Sequence, residues 1–185
     1  MTVLTKAETI QFSIGVERSD EYHAREALLD RAMGANRKRK SSEKLRRGRK
    51  PSEGLAFAAR NIDGTLVGTV RLWDVDAGGT RALLLGPLAV DPSLKSAGIG
   101  SALMLHAIAE ARQLGHEVIL LVGDAPYYQR FGFSAEKAGA LAMPGPFERH
   151  RLLALELNDG ALDSASGMIA PTGRRENSRA LKAAA

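Results

Sequence analysis

The chain has 185 residues, 44% of them apolar, which is enough for one domain with a real core. It contains no cysteine, so disulfides, thiolate metal sites and a cysteine nucleophile are excluded. The formal charge of +5 is unevenly spread: residues 36–50, "NRKRKSSEKLRRGRK", hold nine of the 26 Lys and Arg against one acid, Glu43. Such a run could attract a nucleic acid, a membrane surface or an acidic substrate, but the plainer expectation is a solvated, partly helical connector. It has no aromatic residue to stack a base, which disfavours a nucleic-acid partner.

The opening residues "MTVLTKAETIQF" carry no apolar stretch of signal-peptide length. The longest apolar runs, "ALLLGPLAV" and "VILLV", are too short to span a bilayer. The expectation is therefore a cytoplasmic protein with no membrane partner.

In chain order, 8–16 alternates as a first strand, with Ile10, Phe12 and Ile14 on one face. Ser19 and Asp20 offer caps for a helix reaching about Gly34, whose apolar positions Tyr22, Ala24, Ala27, Leu28 and Ala32 recur at helical spacing. The basic segment follows, closed by Gly48 and Pro51. Runs 55–60 and 65–75 flank Asp63-Gly64, a hairpin signal, and "DAGG" at 76–79 turns the chain into a third strand, 81–90. Pro87 within that strand predicts a bulge, because proline cannot donate a ladder hydrogen bond.

A helix after Gly100 would bury Leu103, Met104, Ala107, Ile108, Ala111 and Leu114 and end at Gly115. "EVILLVG" is apolar on both faces, as a central strand is. "DAPYYQRFG" reads as a short helix capped by Asp124 with Pro126 in its first turn. "GFSAEKAG" and "RHRLLALEL" are expected to close the sheet. The domain would occupy 1–171, with 172–185 a flexible tail.

Strand, glycine loop and helix at 88–108, "LAVDPSLKSAGIGSALMLHAI", is an arrangement that offers backbone N–H groups to an anion. The phosphate loop of nucleotide hydrolases is excluded, since no Gly-Lys-Ser/Thr string exists. A dinucleotide fingerprint is excluded because Leu103 stands where its third glycine belongs.

Lys95-Ser96-Ala97-Gly98-Ile99-Gly100 resembles instead the Arg/Gln-x-x-Gly-x-Gly/Ala loop of the GNAT superfamily of N-acetyltransferases. Lys95 departs from the usual Arg or Gln, and "LAVDP" is similar to that family's approach to the loop. "APYYQRFGF" (125–133) resembles its later aromatic segment. "LGPLAV", "GDAPYYQRFGF" and "ELNDGAL" look like its YhbS-like branch. The resemblance spans roughly 8–157 in element order, with its specific motifs at 85–101 and 123–133.

It implies an α/β fold with a mixed, mostly antiparallel sheet flanked by helices, and two splayed parallel strands opening a cleft for coenzyme A. The amides of Ser96, Ala97, Gly98, Ile99, Gly100 and Ser101, with Lys95, would hold the pyrophosphate of acetyl-CoA, the acetyl donor. The strand residues Leu88, Ala89 and Val90 would receive the pantetheine arm and the acetyl carbonyl. Tyr128 would be the general acid for the departing thiolate, with Tyr127 a packing neighbour.

No metal is implied. The relatives' strand glutamate has no counterpart in 81–90, and Asp74, Asp124, Glu148 and His150 are left unassigned as bases. The acceptor amine and a homodimer stay open. Alternative readings are a basic RNA-associated protein, for example one acting on aminoacyl-tRNA, and a CoA-binding protein without catalysis.

Overall fold

The computed structural model describes residues 10–176, which form one α/β sheet structure. The chain opens with β1 (Phe12–Val16), a 3-10 turn at Ser19–Glu21 and α1 (Tyr22–Met33). A second 3-10 turn, Ala35–Arg39, and α2 (Ser41–Arg46) carry the basic run. The antiparallel strands β2 (Ala56–Asn61), β3 (Leu66–Ala77) and β4 (Thr80–Val90) follow, joined at the two predicted hairpin turns. Then come α3 (Ile99–Gln113), β5 (Val118–Val122), α4 (Ala125–Gln129), β6 (Leu141–Ala142), β7 (Leu152–Glu156) and β8 (Gly167–Pro171).

The sheet runs β1-β2-β3-β4-β5-β7 and is antiparallel except between β4 and β5. β8 pairs with β3 at Val75–Ala77, beyond the end of β2, and with the short β6. Helix α3 covers one face through Ile99, Leu103, Met104, Ala107 and Ala111, packed with Phe57, Leu72, Leu83 and Ile119. A second cluster around Leu45, Trp73, Leu84, Leu120 and Leu152 fills the other face.

Several expectations are corrected. Helix α1 buries Arg25, Leu28 and Leu29, while Tyr22, Ala24, Ala27 and Ala32 are exposed. Three alanines offer little apolar area, so two leucines and the Arg25–Glu17 ion pair set the helix rotation. Leu114 is exposed because α3 ends one residue earlier. Asp124 occupies the N-cap of α4 but its side chain makes no capping bond. Residues 132–139 form turns with a single bridge, Ser134 to Ala154, instead of a strand.

Residues 172–176, expected within the tail, are hydrogen-bonded to the domain. Thr172 and Gly173 donate to Asp74 O, Lys50 N donates to Arg174 O, and Glu176 N to Gly48 O. Residues 177–185 of that tail lie outside the described residues.

Two irregularities in β4 position the site. Between the pairs Val70–Leu88 and Leu72–Leu85, β4 holds one residue more than β3, a bulge at Gly86 and Pro87. The Trp73 indole N–H donates to Gly86 O at 2.6 Å and holds that bulge in place. β4 and β5 pair at Leu83–Ile119 and Leu84–Leu120 only. Beyond the bulge they separate, and the β4 edge facing β5 is left without a partner strand.

Candidate functional site

The glycine loop turns directly into α3. Asp91 caps a 3-10 turn at Pro92–Leu94, accepting from Ser93 N at 3.0 Å. Ser96 and Gly98 have positive φ, 70° and 81°, and Gly98 is the N-cap of α3. This left-handed pair bends the backbone so that successive N–H groups point outward, the geometry of an anion nest. Among the described residues, no backbone or side-chain acceptor meets the amides of Ser96, Gly98, Ile99, Gly100 or Ser101. Ala97 N is the exception and donates to Leu94 O at 3.2 Å. Lys95 and Ser96 are exposed beside this nest.

Sequence reasoning missed a residue here. Arg130 donates from Nη2 to Ser101 Oγ at 3.0 Å and lies 4.1 Å over the Tyr127 ring. It adds an exposed cation at the start of α3, where the helix dipole already favours an anion. Its spacing of three residues from Tyr127, on the face of a short helix, was the available signal.

The two tyrosines divide the work between loop and cleft. A Cβ on Gly100 would sit 3.1 Å from the Tyr127 hydroxyl, so Tyr127 stands against the glycine loop. It is not a core packing residue, as had been expected of one member of the pair. Tyr128 meets Tyr127 edge-on, with centroids 4.9 Å apart, and lies against the Gly123 backbone so closely that a Cβ there would collide with its ring. Burial, then the neighbouring Tyr127, pushes the Tyr128 phenol up to about 12. No group of the described residues hydrogen-bonds its hydroxyl.

Tyr128 also lines a cleft of about 300 Å³ at the fork of β4 and β5. One wall is apolar, with Leu85, Pro87, Leu121 and Phe147. The other is polar, with Lys40, Ser41, Ser42 and Arg46 from the basic segment and Arg151 and Glu148 from the approach to β7. Leu88 lies on the lining, while Ala89 and Val90 continue the same unpartnered edge of β4.

The basic run is therefore not a simple solvated connector. Arg37 is buried and donates to Glu26 at 2.6 Å and Asp30 at 2.7 Å. Arg49 donates to Gly173 O at 2.5 Å. Arg46 is 9% exposed and reaches the cleft.

Of the unassigned carboxylates, only Glu148 lies on the cleft. Asp74 accepts from Ser52 Oγ at 2.8 Å and lines a separate recess with Asp76, Arg81 and His116. Asp124 is exposed and off the lining. Among the described residues no cluster of three His, Asp or Glu side chains could hold a metal.

The model of the acetyltransferase (GNAT) family matches residues 21–133. The uncharacterized N-acetyltransferase YhbS of Escherichia coli K12 is 27% identical over 117 residues, 62% of this chain and 70% of YhbS. The crystal structure of E. coli YhbS in complex with CoA superposes with a TM-score of 0.74 at 23% identity, covering 91% and 93% of the two chains. A GNAT family acetyltransferase of Brucella melitensis in complex with acetyl-CoA gives 0.64 at 22%, covering 88% and 96%.

Proposed function

The chain belongs to the acetyltransferase (GNAT) family, and from that membership we propose that it moves acetyl from acetyl-CoA directly to a primary amine. The observation that carries this reading is the set of unbonded amides at Ser96 and Gly98 to Ser101 beside a fork in the sheet whose lining includes Tyr128. The amides of Ser96 and of Gly98 to Ser101, with Lys95 and Arg130, suit a pyrophosphate. The unpartnered edge of Leu88, Ala89 and Val90 suits the amide-bearing pantetheine arm, which can add to β4 as a short strand would. The relatives named above, solved with CoA and acetyl-CoA, support the donor.

In the reaction the amine lone pair attacks the thioester carbonyl carbon. The new C–N bond forms, the C–S bond breaks and the electron pair leaves on sulfur. The Tyr128 hydroxyl gives its proton to that sulfur, the ammonium proton passes to solvent, and the phenolate takes a proton back from solvent before the next turnover. A phenol held near 12 remains fully protonated at neutral pH, and no protein acceptor competes for its proton. Amides of the β4 edge aimed at the carbonyl oxygen would lower the barrier as negative charge develops there.

The cleft also accounts for the missing strand glutamate. Lys40, Arg46 and Arg151 line the cleft against one carboxylate, Glu148. Neighbouring cations disfavour an ammonium, so the bound amine sheds its proton without a dedicated base. The cytoplasm is the compartment that goes with this reading. Among the described residues no helix is long and apolar enough to cross a membrane.

Calorimetric titration with acetyl-CoA tests the donor. One site per chain is expected. Gly98→Asp places a Cβ in open space, strains a φ of 81° that Asp tolerates better than most residues, and sets a negative charge among the amides. Affinity should fall by about a hundredfold or more. Unchanged affinity in the folded variant would overturn the assignment.

A further inference from the structure

We infer that the acceptor is a small amine carrying a carboxylate, and that Arg46 receives that carboxylate at the bulge of β4. The inference rests on the acetyl-transfer reading and deepens it by naming the class of acceptor.

Arg46 is an unusual residue in its place. It is 9% exposed, yet its guanidinium is only partly used. Nη2 donates to Glu43 at 3.1 Å and to Ser42 Oγ at 3.3 Å. Nε is fully buried with no partner among the described residues. Nη1 has no partner among them either, and it lies 3.4 Å from the point where a Cβ on Gly86 would stand. The absence of a side chain at Gly86 thus leaves Nη1 facing the bulge, on the same cleft as Tyr128.

Burying a guanidinium with donors unused is costly. Burial pushes the Arg46 pKa down, with Glu43 only partly opposing it and Arg37 adding to the repulsion. The group nevertheless stays charged, because arginine does not deprotonate in proteins. An anion placed at Nη1 would supply the missing hydrogen bond and offset the buried charge, which is where a charge-assisted bond is strongest.

The rest of the cleft narrows the ligand. Its volume of about 300 Å³ is at the small end for ligand sites and suits a single small molecule. Lys40 and Arg151 extend the positive field, while Leu85, Pro87, Leu121 and Phe147 accept an apolar body. A polyamine, or an aminoglycoside-like polycation, would meet three cations and one carboxylate there. An amino acid or a similar amino carboxylate meets a charge partner, an apolar wall and a field that favours its free amine.

The test pairs amino acids with their own carboxamides as acceptors in a thiol-release assay at saturating acetyl-CoA. The carboxamide has the less basic amine, so intrinsic chemistry favours it. We expect the reverse for the wild type: the best acids exceed their amides in kcat/KM by about tenfold or more. Arg46→Met should abolish that preference by raising KM for the acid far more than for its amide, while leaving the acetyl-CoA Kd within a few-fold. Arg46→Lys should restore part of it.

A wild type that prefers amides or polyamines, or that turns over no carboxylate-bearing amine in the panel, overturns the inference. The same holds for a preference that survives Arg46→Met. Calorimetry with acetyl-CoA on the same preparation separates the two levels: donor binding without carboxylate preference defeats only this inference, whereas no donor binding defeats the acetyl-transfer reading. The wild-type ranking does not depend on any variant folding.

Discussion

The corner where β1 meets α1 buries Arg25 and Arg60 beside the half-buried Glu17, Glu21 and Arg71, as charged a set as Lys40, Arg46, Arg151 and Glu148 in the cleft, and the two regions balance that charge differently. At the corner, Arg60 donates to both Glu21 oxygens at 2.5 and 2.7 Å and to Val16 O at 3.0 Å. Arg71 Nε donates to Glu17 at 2.8 Å, and Arg25 is shared between Glu17 and Glu26. Glu21 pulls the Arg60 pKa up, whereas burial pushes that of Arg46 down. Yet the two arginines are almost equally hidden, at 7% and 9% exposed. Burial alone does not separate a structural arginine from a ligand-binding one. The carboxylate pairing does: Arg60 forks Nε and Nη2 onto Glu21, whereas Arg46 reaches Glu43 through Nη2 alone and keeps a buried Nε without a partner among the described residues.

Substitutions at the two arginines set this contrast against measurement, beginning with the largest effect. Arg60→Met leaves the Glu21 carboxylate, 12% exposed, without its fork. Stability to urea should drop by about 3 kcal/mol, while kcat per folded molecule stays unchanged. Arg46→Met removes a charge that the fold satisfies poorly, so its stability should stay within about 1 kcal/mol of wild type despite the equal burial. If Arg46→Met unfolds as readily as Arg60→Met, the contrast between the regions fails.

The smallest effect is in pH. The Arg60 hydrogen bond holds the Glu21 carboxyl below its usual range, so the unfolded chain takes up that proton first as pH falls. The stability this pair contributes is complete above the ordinary glutamate pKa of about 4.3 and is lost as pH drops through the lower folded value. Glu21→Gln should flatten the decline of Tm in that acid window and lower Tm at neutral pH. A decline as steep as in the wild type would show that other carboxylates carry it.

The same contrast explains what could be read from the sequence. The glycine loop was visible because a backbone nest requires positive φ at Gly98 and space at Gly100, and that requirement writes glycines at fixed spacing. Strands β2 to β4 were visible through alternation and their turn dipeptides. The tyrosine pair was visible too, although the side that each ring faces depended on Gly100 and Gly123 across space. The acceptor wall was not visible. Lys40 and Arg46 lie about a hundred residues from Glu148 and Arg151, and no periodicity links them. In 36–50, structural arginines such as Arg37 look the same as Arg46, since only folding decides which one finds carboxylates. β8 was hidden for another reason: "GMIAP" buries only Ile169 and owes its pairing to the uncovered end of β3.

Tyr128→Phe tests the catalytic account most directly. The ring keeps its packing on Gly123 and only the hydroxyl is lost. In the thiol-release assay, with the best acceptor from the panel, kcat should fall by about a hundredfold or more, with the acetyl-CoA Kd within a few-fold of wild type. Tyr127→Phe, whose hydroxyl faces Gly100 and not the cleft, should keep a near-normal kcat and shift acetyl-CoA affinity by a few-fold at most. A Tyr128→Phe enzyme that turns over at the wild-type rate, or a pair in which Tyr127→Phe is the crippled one, would contradict the account.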